Sequence, residues 1–295
     1  MDFTPREPPA DCVERYEREG FWTARTVGQV LAEGLGEAAD KPFTVRSDRR
    51  PYRGTLGEVD ALARRVAGGL RARGIGPGDV VSFQMPNWVE AAATFYACTY
   101  VGAVVVPIVH FYGPKEVGYI LRKTRVRALI TADRFGHQDF LANLDSIRAD
   151  LPDLEWAAVV GDDEGRGLLA FADLADAEPV GEPAAVDATR PALVAYTSGT
   201  TSNPKGVVHT HRSITAEIHQ LAAMQAARGS PPFLTGAPVG HAIGMLAALL
   251  VPPYRRHAIH LIDVWDPGRV LAAMLEEGIS GGDRKSTRLN SSHRT

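Results

Sequence analysis

Cysteine is scarce in this chain of 295 residues, which contains only Cys12 and Cys98, at widely separated positions. Two isolated thiols without a C-x-x-C pair supply neither a disulfide framework nor a zinc site. Such usage is typical of proteins from a reducing compartment. We therefore expect a cytoplasmic protein.

A strong charge of either sign is also absent, because the formal net charge is −3 at pH 7. This balance gives no electrostatic basis for binding nucleic acid or an acidic membrane surface. Residues 1–20 lack the apolar core of a secretion signal. The longest apolar run, residues 242–251, is too short to cross a bilayer. We expect no nucleic-acid partner and no transmembrane segment.

Lysine is the rarer of the two strongly basic residues. Five of the 32 basic residues are lysines, at positions 41, 115, 123, 205 and 285. The lysine ammonium is a flexible point charge, whereas the guanidinium that dominates this chain is a planar fork. A lysine inside a loop of hydroxyl residues, as at Lys205, therefore indicates a specific role.

Strand-like and helix-like patterns alternate along most of the chain. The composition, 45% hydrophobic and 23% charged, is that of a globular protein with one large or two ordinary domains. Repeated βα units with strands rich in valine and isoleucine predict an α/β fold, with parallel sheets flanked by helices. The predicted strands are residues 43–45, 80–85, 103–108, 128–132, 156–160, 192–196, 233–237 and 257–262. The predicted helices are residues 26–39, 56–72, 86–100, 114–124, 138–150, 211–227, 243–250 and 267–277.

The points at which this alternation stops divide the chain into regions. We predict a polar lead-in at residues 1–20, a first βα region at 21–160, a linker at 161–190, a second βα region at 191–281 and a tail at 282–295. Within the tail, residues 283–293 resemble the in-frame translation of a common sequencing adapter. We therefore expect the tail not to belong to the natural chain.

Hydroxyl residues fill five of the six positions in a loop directly after the predicted strand 192–196. Small residues leave backbone N–H groups uncovered, hydroxyls add donors and Lys205 adds a positive charge, which together suit the oxygens of a polyphosphate. The alternative is a solvated turn, but the strand before the loop and the Pro-Lys-Gly at its end favour the phosphate site. The candidate phosphate-binding residues are Thr197, Ser198, Gly199, Thr200, Thr201, Ser202, Lys205 and Gly206.

Two other interpretations of this region are disfavoured. The loop is not a Walker loop, because no glycine directly precedes Lys205 and no Ser or Thr follows it. His209 and His211 follow the loop, but their i, i+2 spacing without a third ligand does not favour a metal site. We expect structural or solvent-facing positions for both histidines.

Residues 196–206, Y-T-S-G-T-T-S-N-P-K-G, resemble the phosphate-loop motif Y-T-S-G-T-T-G-x-P-K-G of the adenylate-forming superfamily, which comprises acyl-CoA synthetases, adenylation domains and luciferases. Ser202 stands where glycine is commonest. Residues 76–81 (G-P-G-D-V-V), 100–107 (Y-V-G-A-V-V-V-P) and 238–241 (P-V-G-H) are similar to three further motifs of that superfamily. The chain thus resembles the branch that activates fatty, alicyclic or aromatic acids with CoA.

The resemblance implies the fold of the superfamily's large N-terminal domain and its use of ATP, Mg²⁺ and CoA. The hydroxyl loop would wrap the β- and γ-phosphates of ATP, with Lys205 as a catalytic residue and Thr200 as a ligand of Mg²⁺. His241 would lie near the reacting carboxylate as a second catalytic residue. The alternative for His241 is a helix-capping or core histidine.

The superfamily also has features that this sequence does not contain: an aromatic-Gly-x-Thr-Glu segment that stacks on adenine, an aspartate that binds ribose, and a C-terminal domain with a catalytic lysine. We therefore expect an incomplete N-terminal domain of a ligase, without activity of its own. Two alternatives stay open, an adenylation domain that loads a carrier-protein thiol and a non-catalytic ATP-binding chain. The sequence indicates neither the acid nor the oligomeric state.

Overall fold

The structure is a computed structural model, and it describes residues 3, 8–197, 203–229, 232–279 and 281–282. The helices are α1 (Ala10–Arg18), α2 (Val27–Glu37), α3 (Leu56–Ala72), α4 (Val89–Tyr100), α5 (Pro114–Thr124), α6 (Phe140–Ile147), α7 (Phe171–Ala175), α8 (His211–Ala227), α9 (Ala242–Gly244), α10 (Val251–Tyr254) and α11 (Pro267–Glu277). The strands are β1 (Pro42–Arg46), β2 (Tyr52–Thr55), β3 (Val80–Gln84), β4 (Val104–Ile108), β5 (Ala128–Ala132), β6 (Arg134–Phe135), β7 (Gln138–Asp139), β8 (Trp156–Val160), β9 (Leu169–Ala170), β10 (Pro191–Thr197), β11 (Lys205–Thr210), β12 (Phe233–Thr235), β13 (Ile259–Ile262) and β14 (Gly281–Gly282). A 3₁₀ turn, Arg148–Asp150, follows α6.

Seven strands form the larger sheet, in the order β11-β10-β4-β3-β5-β8-β9. Each neighbouring pair is parallel except β10 with β11. Strands β3, β4 and β5 are buried at every position, and so is helix α4. Parallel strands covered on both faces need continuous apolar runs, which accounts for the valine-rich pattern. The predicted α/β class is confirmed.

A second sheet of five strands has the order β14-β12-β13-β1-β2. In it β1 pairs in parallel with β13, with Phe43 opposite Ile259, and β2 folds back antiparallel on β1. A local hydrophobic pattern does not indicate which distant strand pairs with a given strand. The sequence therefore predicted most of these strands without predicting their division between two sheets.

Capping groups explain where several helices begin and end. Thr26 and Thr55 each form a capping box with the Gln or Glu three residues later, before α2 and α3. Asp266 accepts from a backbone N–H at the start of α11, and Gly278, at φ 65°, ends that helix. The observed bounds of α5, α8, α11, β5 and β8 equal the predicted ones.

The predicted lead-in and linker both contain a helix. Within the polar lead-in predicted at residues 1–20, α1 forms and the ring of its Tyr16 packs edge-on against Trp22, with centroids 5.0 Å apart. The segment 161–190 contains α7 and is bound to the core, because the N–H of Val180 donates to a carbonyl of α3. Among the helices of the described ranges, none is long and apolar enough to span a membrane.

Candidate active site

The carboxyl edge of the seven-stranded sheet brings two of the sequence motifs close together. Strands β4 and β10 are parallel neighbours, so their carboxyl ends lie side by side. A Cβ atom added at Gly240 would lie 2.4 Å from the carbonyl oxygen of Ile108, so the turn at residues 238–241 packs directly against the end of β4. In open α/β sheets this edge is where ligands bind. The carboxyl end of β10, from which the hydroxyl loop continues, and the turn that carries His241 therefore lie at one edge.

Strand β11, which the sequence did not predict, follows the hydroxyl loop and pairs antiparallel with β10 to form the β10–β11 hairpin. Thr197 lies opposite Lys205 in the antiparallel pair β10–β11, and Thr197 Oγ1 donates to the Lys205 carbonyl oxygen at 3.4 Å. Strand β11 lies at the edge of its sheet and is partly exposed along its length, so its hydrophobic pattern is weak. Ser198, Gly199, Thr200, Thr201 and Ser202 lie outside the described residues, and their phosphate contacts stay predictions.

Lys205 is the first residue of β11, and its side chain is exposed, whereas the preceding Pro204 is buried. Within the described part of the chain Lys205 makes no ion pair. A buried proline is thus followed by an exposed ammonium that has no carboxylate partner among the described residues. The contact of Lys205 with a phosphate stays a prediction.

Gly206 makes room for the ring of Tyr196, which lies opposite it in the hairpin. A Cβ atom at position 206 would lie 2.9 Å from Tyr196 Cζ, closer than side chains normally approach. Tyr196 is 9% exposed, its hydroxyl is buried without a hydrogen-bond partner in the described residues, and burial raises its pKa to about 12. The tyrosine therefore serves as an apolar support beneath the base of the loop.

The substitution Tyr196→Phe is expected to raise the free energy of unfolding by about 1 kcal/mol, because it removes a buried hydroxyl that has no partner among the described residues. Tyr100→Phe is the matched control, since the Tyr100 hydroxyl donates to Asp60 Oδ1 at 2.5 Å. The control is expected to lower the free energy of unfolding by about 2 kcal/mol. Urea unfolding of both variants measures the two changes, and equal losses would show that the Tyr196 hydroxyl has a partner after all.

His241 precedes α9 and caps it. Its Nδ1 accepts from the backbone N–H of Ile243 at 3.3 Å, and the backbone N–H of His241 donates to the carbonyl oxygen of Pro238 at 2.9 Å. The capping alternative considered for this residue is thus present in the structure. The cap also sets the tautomer of the neutral ring, because an accepting Nδ1 leaves the proton on Nε2. An Nε2–H group is suited to an anionic carboxylate oxygen.

The helix predicted at residues 243–250 is interrupted by a π-helical segment, Met245–Leu250, between α9 and α10. The hydroxyl of Tyr96 in α4 donates to the carbonyl oxygen of Leu249 at 3.1 Å, and so satisfies one backbone group of the segment. Segments of this type are uncommon and occur frequently at functional sites. The structure therefore places an irregular helix directly after the turn that carries His241.

His211 has a structural position, as expected. It is 1% exposed, and its Nδ1 accepts from the backbone N–H of Val27 at the start of α2, at 3.2 Å. Burial lowers its pKa to about 4. In the ranges that the structure describes, no group of three or more His, Cys, Asp or Glu residues is placed to hold a metal. Thr200, the predicted Mg²⁺ ligand, lies outside those ranges.

A cavity of about 720 Å³ opens at the opposite edge of the larger sheet, next to Gly78, Gly102 and Pro191. These residues stand at the amino ends of β3, β4 and β10. Because ligands of parallel sheets bind at the carboxyl ends, this cavity is not the place for the nucleotide. The candidate site is therefore defined by the hairpin and the histidine turn.

The chain is similar to known proteins, as a family model and two curated relatives show. The family model for AMP-binding enzymes matches residues 32–281. The chain is 26% identical to a medium-chain fatty-acid–CoA ligase of Escherichia coli (strain K12), over 89% of this chain and 46% of that protein. It is 29% identical to a salicyl-AMP ligase / salicyl-S-ArCP synthetase of Mycobacterium tuberculosis (strain ATCC 25618 / H37Rv), over 82% of this chain and 44% of that protein.

A solved structure agrees in fold with most of the chain. The apo structure of Mycobacterium smegmatis MbtA matches with a TM-score of 0.81 and 25% identity, over 95% of this chain and 51% of that one. The chain spans about half the length of the curated relatives it matches.

Proposed function

The chain belongs to the AMP-binding enzyme family, and we propose that the full-length protein activates a carboxylic acid as its adenylate and transfers the acyl group to a thiol. The fold is that of the N-terminal domain of adenylate-forming enzymes, as the motifs predicted. The β10–β11 hairpin carries the proposal. It holds Lys205 at the base of the hydroxyl loop, at the same sheet edge as the turn that carries His241.

The chemistry requires two displacements. A carboxylate is a poor electrophile, so its oxygen first attacks the α-phosphorus of ATP, and pyrophosphate leaves. The thiolate of the acceptor then attacks the acyl carbon, and AMP leaves with the oxygen that it gained from the acid. Negative charge accumulates on the phosphates in the first step, so donors fixed in advance at that position lower the barrier.

The hydroxyl loop supplies these donors in our proposal. Thr197, Ser198, Gly199, Thr200, Thr201, Ser202 and Gly206 wrap the β- and γ-phosphates, and the ammonium of Lys205 neutralises the pyrophosphate as it leaves. Mg²⁺ prefers hard oxygen ligands and is held mainly by substrate phosphates in such sites, and the hydroxyl of Thr200 is a ligand of that type. When bound, the ion adds positive charge beside the phosphates.

His241 acts on the acid in our proposal. Its Nδ1 is occupied by the cap on α9, so Nε2 carries the proton and donates to an oxygen of the carboxylate. This hydrogen bond orients the other carboxylate oxygen toward the phosphorus. In this proposal Lys205 acts on the pyrophosphate that leaves ATP, and His241 acts on the carboxylate that attacks it.

The acid we propose is fatty, alicyclic or aromatic, and the acceptor is CoA. The Escherichia coli relative is named for medium-chain fatty acids and CoA, and the Mycobacterium tuberculosis relative for a salicyl group and a carrier protein. The second relative favours an alternative in which the acceptor is the thiol of a carrier protein.

Carboxylate-dependent exchange of labelled pyrophosphate into ATP tests the proposal. The assay uses the full-length protein, because this chain spans about half the length of its relatives. Exchange is expected with at least one member of a panel of fatty, alicyclic and aromatic acids, and no exchange with any of them would refute the proposal. Thioester formation with CoA, compared with a phosphopantetheinylated carrier protein, then separates the two acceptors.

A further inference from the structure

Asn87 connects the two sheets at the edge where the candidate site lies. It follows β3 of the seven-stranded sheet, is 2% exposed, and reaches the backbone next to the five-stranded sheet. Its Nδ2 donates to the carbonyl oxygens of Ala237 and Ile262, each at 3.0 Å. Its Oδ1 accepts from the backbone N–H of Val239 at 2.8 Å. One carboxamide thus holds the end of β13 and the turn between β12 and α9.

The orientation of this carboxamide is determined by its partners. A rotation by half a turn would place the oxygen against two carbonyl oxygens and the nitrogen against an N–H group. Both donors and one acceptor position are used, so the buried group is satisfied. Fully satisfied polar groups in the interior make their surroundings rigid. Asn87 therefore fixes the separation of the segments that it binds.

The turn that Asn87 holds is the one that carries His241. Ala237 and Val239 stand on either side of Pro238, and the Pro238 carbonyl oxygen accepts from the backbone N–H of His241 at 2.9 Å. Asn87, which follows a strand of the seven-stranded sheet, thus binds two backbone groups of this turn. The phosphate-loop hairpin belongs to that same sheet.

We infer that Asn87 is a positioning residue for the reaction, which holds His241 at a fixed distance from the β10–β11 hairpin. The inference rests on the proposed function, in which His241 binds the acid and the loop binds the phosphates. The histidine turn follows β12 of the smaller sheet, whereas the phosphate loop follows β10 of the larger sheet. The hydrogen bonds of Asn87 join the two sheets and therefore set the distance between the bound acid and the phosphates in our proposal. A displacement of about 1 Å in such a contact lowers a rate by about 100-fold.

The substitution Asn87→Asp tests this inference with a side chain of the same shape. It removes both donors and places a carboxylate against two carbonyl oxygens. In the full-length protein, pyrophosphate exchange is expected to fall by about 100-fold. In a His241→Ala background the same substitution is expected to lower the remaining exchange by no more than about threefold, because positions that act through one group are not additive. Equal losses in both backgrounds would overturn the inference.

Ser82→Ala is the matched control. Ser82 lies in β3, is 0% exposed, and donates from Oγ to the carbonyl oxygen of Val106 at 2.7 Å. The substitution removes a buried hydrogen bond from the strand that precedes Asn87 and removes no contact of the histidine turn. The control is expected to lower stability and to be additive with His241→Ala. If Asn87→Asp does not fold, Asn87→Ala, which introduces no charge, is expected to show the same coupling with His241.

A measurement that does not depend on activity separates the inference from the proposed function. The imidazole resonances of His241, followed by NMR in the histidine-labelled full-length protein, are expected to shift in Asn87→Asp and to stay unchanged in Ser82→Ala. Unshifted resonances in Asn87→Asp would overturn the positioning role even if the enzyme is a ligase. An absence of exchange in the unaltered protein would refute the proposed function. The NMR comparison would then still show whether Asn87 positions His241.

Discussion

Replacing Lys205 with alanine in the full-length protein is expected to lower carboxylate-dependent pyrophosphate exchange by about 100- to 1,000-fold. The side chain is exposed at the base of the hydroxyl loop and makes no ion pair among the described residues. Its removal therefore leaves the charge of the departing pyrophosphate without this counter-charge. Because the interaction grows as charge develops, the loss is expected mainly in kcat, with a smaller change in the KM for the acid.

Two control variants show whether the charge or its geometry matters. Lys123→Ala removes an exposed lysine from the last turn of α5, outside the hydroxyl-loop motif, and is expected to leave exchange unchanged. Lys205→Arg keeps the charge but replaces a point charge by a planar fork, and partial activity is expected. Full exchange in Lys205→Ala would remove this residue from the mechanism.

The stability of the chain is expected to fall in acid because of His211. Burial lowers its pKa from 6.5 to about 4, so the unfolded state binds the proton first as the pH falls. The stabilising contribution is complete above about pH 6.5 and is lost progressively toward pH 4. The shift corresponds to about 3 kcal/mol. Protonation of Nδ1 in the folded state would also break its hydrogen bond from Val27.

Urea unfolding at a series of pH values measures this effect. In His211→Gln the side chain does not titrate and its amide oxygen can still accept from Val27, so the acid-dependent loss is expected to shrink by about 3 kcal/mol. His137→Gln alters an exposed histidine and is expected to leave the profile as it is. Identical profiles for the unaltered chain and His211→Gln would contradict the assignment.

The elements whose bounds were predicted correctly are those with local determinants. Helix α8 begins after Thr210, whose side chain accepts from a backbone N–H, and α11 lies between the caps Asp266 and Gly278. Strand β11 was missed because its partner β10, rather than its own pattern, makes it a strand. The pairing of β1 with β13 was not predictable for the same reason, since its determinants lie in another part of the chain.

The features of the candidate site also differ in whether their determinants are local or lie far away in the sequence. Lys205 and His241 were predicted as site residues because they belong to motifs with a recognisable order of residues, and their roles stay predictions. Asn87 was not singled out, because its partners are backbone groups 150 and 175 positions away and no side-chain pattern indicates them. The cap that orients His241 is local, but the contact of Gly240 with the end of β4 is not. Residue types therefore indicated the chemistry, and the fold was needed to show what holds it in place.

The fate of a carboxylate oxygen tests the central claim most directly. The full-length protein is given an acid labelled with ¹⁸O in its carboxylate, together with ATP, Mg²⁺ and CoA, and the products are analysed by mass spectrometry. If the acid attacks the α-phosphorus and the thiol then displaces AMP, the AMP carries one ¹⁸O atom and the pyrophosphate carries none. Label in inorganic phosphate, with ADP as the nucleotide product, would show that an acyl phosphate forms instead and would contradict the account.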